Sequence, residues 1–344
     1  MLYVPVVSKT GKALMPTSAY RCRKLLKAKK AIKRFNKGIF YIQLTQREDG
    51  DTQEIVLGID PGSKKEGYTV KSKNKTFLNI QCDAITWVKG KIESRRNSRR
   101  TRRSRKTPYR KCRYNRKIGG IPPSTLARWN IKLRIVNWLS KLYPIITIIV
   151  EDIKAITKKY IKNSRWNLTF SLLQVGKNYF YKILQRIYSV FLVQGQQTKQ
   201  VRDFRGLKKS KDKLANKFTS HCVDSWVMAN WYFGNIQKKP ENTSMLLVSP
   251  IQYKRRQLHM FQPSVGNIRK RYGGTMSLGY KKGTFVKHIK FGLGYIGGNL
   301  NNKLSLHNVS TGERITKNAN ISDISKFYTI LPWKFKYISG SAAA

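Results

Sequence analysis

Apolar and polar positions divide the chain into regimes with different periods. Over residues 1–45, two short apolar runs, 3–7 and 38–44, flank a basic segment, 19–37. In that segment Leu25, Leu26 and Ile32 share one helical face and leave Arg21, Arg23, Lys24, Lys27, Lys29 and Lys30 mostly outside. The pattern predicts a small β-helix-β module whose helix faces phosphates. Residues 46–54 are polar and acidic and read as a linker. From Ile55 onward, short, strongly apolar runs alternate with helical ones, as in an α/β layer. Residues 55–59 read as a buried strand. The next two strands are 67–72 and 77–88, joined by turn residues 73–75 and hence antiparallel. Pro122, Pro123 and Ser124 open a helix to about Leu142, with Leu126, Trp129, Leu133, Val136 and Leu139 on one face. Residues 145–150 give a fourth strand, 170–188 a helix, 190–193 a fifth strand and 214–233 a last helix. Residues 245–335 are rich in Gly, aromatics and Val, Ile and Leu at short intervals, which predicts a small all-β domain.

Composition narrows what such a chain can do. Its 344 residues allow two or three domains of about 100–200 residues each, and 40 % hydrophobic residues suffice for real cores. The formal net charge is +54, from 70 Lys and Arg against 16 Asp and Glu. A compact protein so charged repels itself and needs a polyanion to neutralise it. Nucleic acid fits, because each neutralised phosphate releases counterions. No stretch approaches the roughly 20 apolar residues of a membrane span, and Met1-Leu2-Tyr3-Val4-Pro5 shows no basic region before an apolar core, so no secretory signal is expected. A soluble protein is expected. Cys22, Cys82, Cys112 and Cys222 lie far apart without Cys-x-x-Cys spacing, which argues against disulfides or a zinc knuckle and for a reducing compartment. The closing Gly-Ser-Ala-Ala-Ala reads as an appended scar.

Charge is not spread evenly. Residues 94–150 contain no Asp or Glu, and within them stand Arg95, Arg96, Arg99, Arg100, Arg102, Arg103, Arg105, Arg110, Arg113 and Arg116. Like charges at i,i+4 destabilise a free helix, so this segment should be ordered when phosphates surround it. A solvated basic arm is the alternative.

With so few carboxylates, those beside buried strands need a reason. Asp60 ends one strand and begins Asp-Pro-Gly-Ser, Glu151 ends another, and Asp224 lies in an apolar helix three residues after His221. An unpaired buried carboxylate is costly. A divalent cation resolves the conflict, and Mg²⁺ prefers a few carboxylates with waters and phosphate oxygens. Two such ions suit phosphodiester cleavage. His221 and Asp224 share a helical face, so the imidazole could ligate a metal or deprotonate the attacking water. Taken singly, His221 could be a packed core residue, Asp60 turn chemistry, and Glu151 with Asp152 a cap. Three such coincidences are less probable than one site.

These residues also carry a resemblance. Leu57-Gly58-Ile59-Asp60-Pro61-Gly62-Ser63, then Ile149-Val150-Glu151, then Ser220-His221-Cys222-Val223-Asp224-Ser225 resemble the split motifs of RuvC nuclease domains with an RNase H-like fold. The Arg-rich stretch resembles the bridge helix of the transposon-encoded IscB and IsrB proteins. Val4-Pro5-Val6-Val7 and Gly11-Lys12-Ala13-Leu14-Met15-Pro16 are similar to their N-terminal Pro-Leu-Met-Pro module, with Ala13 in place of proline. Gln174-Val175-Gly176-Lys177-Asn178-Tyr179-Phe180-Tyr181 also resembles that family. No HNH domain separates the second and third motifs, as it does in IscB, so the likeness is to IsrB.

The resemblance implies an α/β fold with an RNase H-like (RuvC) mixed sheet flanked by helices. Its parts would be the N-terminal module at 1–50, RuvC segments at 51–93, 121–165 and 166–240, a bridge helix at 94–120, an all-β domain at 241–335 and a tail at 336–344. It implies an RNA-guided nickase that binds an omega-type guide RNA and cuts the displaced strand of double-stranded DNA. The metal ligands and catalytic groups would be Asp60, Glu151, His221 and Asp224, with two Mg²⁺ ions or Mn²⁺ in their place. The arginines above would hold RNA. Lys254, Arg255, Arg256, Arg269, Lys270 and Arg271 are candidates for reading a target-adjacent motif, though phosphate contact alone is the simpler role for each. A monomer in a ribonucleoprotein, cytoplasmic in a prokaryote or in an organelle, follows. A guide-free, structure-specific RuvC-like endonuclease and an inactive nucleic-acid binder are the alternatives.

Overall fold

The computed structural model describes residues 3–106, 120–152, 171–251, 276–309, 311–328 and 333–340. Two units divide the chain, Met1–Val248 with Phe335–Ala344, and Ser249–Lys334. In the first, β1 (Tyr3–Val7), β2 (Ala13–Ser18), β3 (Ala31–Asn36) and β4 (Ile39–Leu44) form a sheet in the order β2-β1-β4-β3, crossed by α1 (Ala19–Lys27). Leu25 and Leu26 of α1 pack on a core of Val6, Leu14, Cys22, Ala31 and Ile42. The module differs from the expected β-helix-β because α1 stops early. Lys29 takes the left-handed conformation (φ 55°), and Lys29 and Lys30 donate their N–H groups to the carbonyls of Leu26 and Leu25. That closing turn frees residues 31–36 to pair with β4, and Ile32 ends up exposed.

A seven-stranded sheet forms the centre, in the order β18-β10-β7-β6-β5-β8-β9. Its members are β5 (Ile55–Asp60), β6 (Lys65–Ser72), β7 (Thr76–Asp83), β8 (Ile145–Glu151), β9 (Ser189–Val193), β10 (Met245–Pro250) and β18 (Trp333–Ile338). Strand β5 is antiparallel to β6 and parallel to β8, β8 is parallel to β9, and β7 is antiparallel to β6 and parallel to β10. Among β5 to β10, therefore, only β6 runs against the rest. The order β7-β6-β5-β8-β9 with that single reversal is an RNase H-like mixed sheet.

Helices α2 (Val88–Lys106), α3 (Pro123–Ser140), α4 (Leu172–Leu184), α5 (Gly195–Phe204) and α6 (Phe218–Tyr232) accompany the sheet. Strand β7 ends at Asp83 rather than near Val88, because Val88 already begins α2. Helix α5 was not expected, since 195–204 is polar and offers almost no apolar period. The second unit carries β11 (Met276–Ser277), β12 (Tyr280–Lys281), β13 (Phe285–His288), β14 (Gly292–Leu300), β15 (Lys303–Asn308), β16 (Arg314–Ala319) and β17 (Ile324–Tyr328). Five of these make a sheet ordered β16-β15-β14-β13-β17 around Val286, Ile296, Leu304, Leu306 and Ala319. The flanking runs at 245–250 and 333–338, read as parts of the C-terminal domain and tail, belong to the large sheet. No helix among the described residues is long and apolar enough to cross a membrane.

Candidate active site

Every residue of β5 is buried, and its parallel neighbour β8 is buried from Thr147 to its end. Ile59 is in register with Val150, so Asp60 and Glu151, the next residues, leave the sheet side by side at the same ends of their strands. Their relative exposures are 5 % and 7 %, and their carboxyl groups share a hydrogen bond. Two carboxylates cannot both ionise at such a place, so the pair gives up its protons in separated steps. Burial, followed by the Asp60 charge, pushes Glu151 up to about 8. Burial pushes Asp60 up to about 6 against the pull of Lys209.

Helix α6 lies directly on β5 and β6, and two glycines allow it. A Cβ at Gly58 would stand 2.0 Å from the Ser225 carbonyl oxygen, and one at Gly67 would stand 2.3 Å from that of His221. Gly67 is the register partner of Asp60. Thr69 and Ser225 hydroxyls, 2.8 Å apart, tie the layers together. This contact sets the fully buried Asp224 of α6 over the strand ends and makes its charge felt at both Asp60 and Glu151.

Two cations complete the arrangement. Arg202 of α5 donates to Asp224 Oδ1 at 2.7 Å, and Lys209 contacts Asp224 Oδ2 while standing 3.9 Å from Asp60 Oδ2. Burial works against the Lys209 charge, but Asp60 and Asp224 hold it protonated above the usual lysine range. His221 has its Nε2 3.0 Å from the Lys213 carbonyl, and burial lowers its pKa, so the ring is neutral at pH 7. With Nε2–H donating, Nδ1 carries the free lone pair. Asp60, Glu151 and Asp224 thus act on one another electrostatically, and His221 shares the helix of Asp224. As they stand, no three His, Cys, Asp or Glu side chains among the described residues are grouped to hold a metal ion.

Comparison with known proteins adds one family. Residues 4–167 match the family model described as RRXRR protein. The chain spells that string once, as Arg99-Arg100-Thr101-Arg102-Arg103. No curated protein matches the chain significantly. Among solved structures, Thermus thermophilus RuvC in complex with Holliday junction substrate aligns at 13 % identity and a TM-score of 0.26, over 54 % of this chain and 97 % of that one. The yeast mitochondrial Holliday junction resolvase aligns at 15 % and 0.26, over 53 % and 78 %. The RNase H-like assignment rests on the strand order and directions above, not on these alignments.

The RRXRR string lies in α2, where Arg95, Arg96, Arg99 and Arg100 are all exposed. Arg102, Arg103 and Arg105 continue the same helix. Arg110, Arg113 and Arg116 lie outside the described residues, as do Lys254, Arg255, Arg256, Arg269, Lys270 and Arg271.

Sequence reasoning overlooked Lys209, Arg202 and two supporting ion pairs. Glu66, fully buried on β6, accepts from Lys132 at 2.5 Å and from the Tyr68 hydroxyl at 2.5 Å. Asp152, beside Glu151, accepts from Lys177 at 2.5 Å and Tyr181 at 3.0 Å. Lys177 and Tyr181 are four residues apart on α4, on one face. At Gly176 a Cβ would meet Trp129 Nε1 at 2.0 Å. The 174–181 motif therefore packs α4 on α3 and anchors the residue after Glu151. Its i,i+4 Lys and Tyr were the available signal.

Proposed function

We propose that the chain is a metal-dependent DNA endonuclease, guided by RNA, that nicks one strand. The observation carrying this reading is the meeting of Asp60 and Glu151 at the ends of neighbouring parallel strands beneath Asp224. Nothing in fold stability requires two hydrogen-bonded carboxyls there, since burying them uncompensated opposes folding.

The donor chemistry fits a hard divalent cation. Burial raises both carboxyls above their ordinary range, helped by the charges of Asp224 and Glu66 at Asp60 and by that of Asp60 at Glu151, so a cation at their oxygens favours the ionised pair. Asp60 and Glu151 would hold the ion, and Asp224 would join them once Lys209 releases it. Mg²⁺ is the proposed ion, with Mn²⁺ as its substitute. When bound, it would polarise the phosphodiester and lower the pKa of a bound water. His221, neutral and with Nδ1 free, can take the proton that the attacking water loses as its oxygen bonds phosphorus. The phosphorus bond to the leaving sugar oxygen then breaks, and that oxygen is protonated from solvent. Arg202 keeps Asp224 oriented.

Charge supports the guided form of the reading. A net charge of +54 exceeds what a short DNA site neutralises, and the exposed α2 arginines suit the backbone of an RNA, binding phosphate bidentately. In such a complex base pairing would supply sequence recognition. A single carboxylate centre among the described residues, with α4, β9 and α5 the elements described between Glu151 and α6, favours cutting a single strand.

Sequencing the RNA that co-purifies with the chain, then assaying nicking of a matched supercoiled plasmid with Mg²⁺, tests both halves. A discrete structured RNA and nicking lost in Asp60→Asn are expected. Nicking without RNA would leave a guide-free endonuclease. Equal nicking by the variant would remove the site.

A further inference from the structure

We infer that the N-terminal module holds two successive unstacked nucleotides of a single-stranded polynucleotide, in adjoining cavities built on Leu14, Met15 and Pro16. The inference relies on the nucleic-acid binding proposed above but not on cleavage. Two cavities flank this short motif. One, of about 330 Å³, has an apolar floor of Val6, Leu14, Leu25 and Leu44 and a rim bearing Arg21, Lys30 and Arg47. The other, of about 530 Å³, is lined by Tyr3, Phe77, Lys75 and Gln53 among others. Met15, Pro16 and Asp51 line both, so the two cavities adjoin at these residues. Each has the volume of a small-ligand pocket.

The chemistry of the lining selects the occupant. Single-stranded nucleic acid is held by flat apolar or aromatic surfaces for bases and cations for the backbone. Tyr3, half-buried and edge-on to Phe77 with ring centroids 5.5 Å apart, offers the aromatic surface in one cavity. The aliphatic floor offers the other. Arg21 and Lys30 are exposed, and neither has an ion-pair partner among the described residues. A hydrophobic peptide would fill the floor but leave these cations unanswered, whereas phosphates at the rim answer them.

Asp51 fixes the orientation. It is the one acid in the lining of either cavity, and it repels phosphate. Asp51 is itself exposed, so phosphates keep to Arg21 and Lys30 while base edges face Asp51. A carboxylate accepts hydrogen bonds and donates none when ionised, so it favours bases with an exocyclic amino group. Adenine, cytosine and guanine are preferred over uracil or thymine, which lack one.

Photo-crosslinking of short oligonucleotides to the full chain, followed by peptide mapping, reads the site directly despite the high background charge. Hexamers of A, C and U as RNA, and of A, C and T as DNA, identify the source. Crosslinks to Tyr3 or Met15 are expected, with A and C at least threefold above U or T. Asp51→Asn should abolish that preference without weakening hexamer binding. Arg21→Ala with Lys30→Ala, both at exposed positions, should weaken hexamer binding about tenfold. It should also reduce the salt slope by about 1.4, the release expected for two single-strand phosphates. Crosslinks confined to other peptides, or an unchanged base preference in Asp51→Asn, would overturn the inference. Nicking measured on the same preparations separates its failure from that of the carboxylate site.

Discussion

Lys209 Nζ stands 3.9 Å from Asp60 Oδ2 while contacting the Asp224 carboxylate. An ammonium thus lies between two of the carboxylates proposed to hold a divalent ion. It offsets their repulsion as the ion would, and the two cations compete for the same oxygens. Its side chain is 35 % exposed, so a path to solvent is open when it is displaced.

Removing that competitor should strengthen metal binding. Lys209→Gln is expected to bind Mn²⁺ on the order of tenfold more tightly, a difference of about 1.4 kcal/mol, by calorimetry of the nucleic-acid-free protein. Without metal the same variant should melt lower than wild type, because Asp224 then keeps only Arg202. Unchanged Mn²⁺ affinity would show that Lys209 does not share the ion's place.

The carboxyl pair makes stability depend on pH. In the folded chain Glu151 keeps its proton to about pH 8, against 4.5 for an ordinary glutamate, and Asp60 keeps its own to about 6, against 3.8. Between pH 4 and 8 this pair binds more protons in the folded state than in the unfolded one. Stability therefore falls as pH rises through that window. Glu151→Gln removes the larger part of the effect. Its melting temperature should equal that of wild type at pH 4 and exceed it by about 3–6 °C at pH 8, with nicking lost. Parallel melting curves across the window would refute the assignment.

Gly58 and Gly67 tie the motif around Asp60 to the position of Asp224. With 2.0 Å between a Cβ at Gly58 and the Ser225 carbonyl, Gly58→Ala must push α6 off the sheet. Overpacking of this kind costs about 1–3 kcal/mol or more, and here it also separates Asp224 from Asp60. Denaturant unfolding should show that loss, and nicking should fall further than stability alone accounts for. A fully active Gly58→Ala protein would mean that α6 reaches the strands by another fit.

How much of this was legible in the sequence follows from where the information lies. Asp60 and Glu151 stand out because each ends an unbroken apolar run, and Asp224 because it interrupts one. Lys209 sits among Lys208, Lys211 and Lys213, and nothing local separates the lysine that turns inward from those that stay in solvent. Strand β3 was hidden because Lys33 and Arg34 break its apolar pattern and only the left-handed Lys29 reveals that α1 has ended. Strands β10 and β18 join the large sheet through partners distant in sequence, and no local period reports that pairing.

The buried Lys132–Glu66 pair gives the last prediction. The partners' side chains are 4 % and 0 % exposed, and the lysine also lies over the Trp129 ring at 4.6 Å. Breaking such a pair strands a charge, at a cost of about 3–5 kcal/mol, whereas replacing both partners by apolar groups is often close to neutral. Lys132→Met alone should therefore unfold the chain at markedly lower denaturant, because it leaves Glu66 facing only the Tyr68 hydroxyl. Lys132→Met with Glu66→Leu should recover most of the loss. Glu66 also contributes to the charge that raises Asp60, so the double variant should titrate Asp60 lower than wild type, a shift readable by carboxyl NMR. Additive losses in the cycle, with no change at Asp60, would show that the pair neither supports α3 against the sheet nor reaches the site.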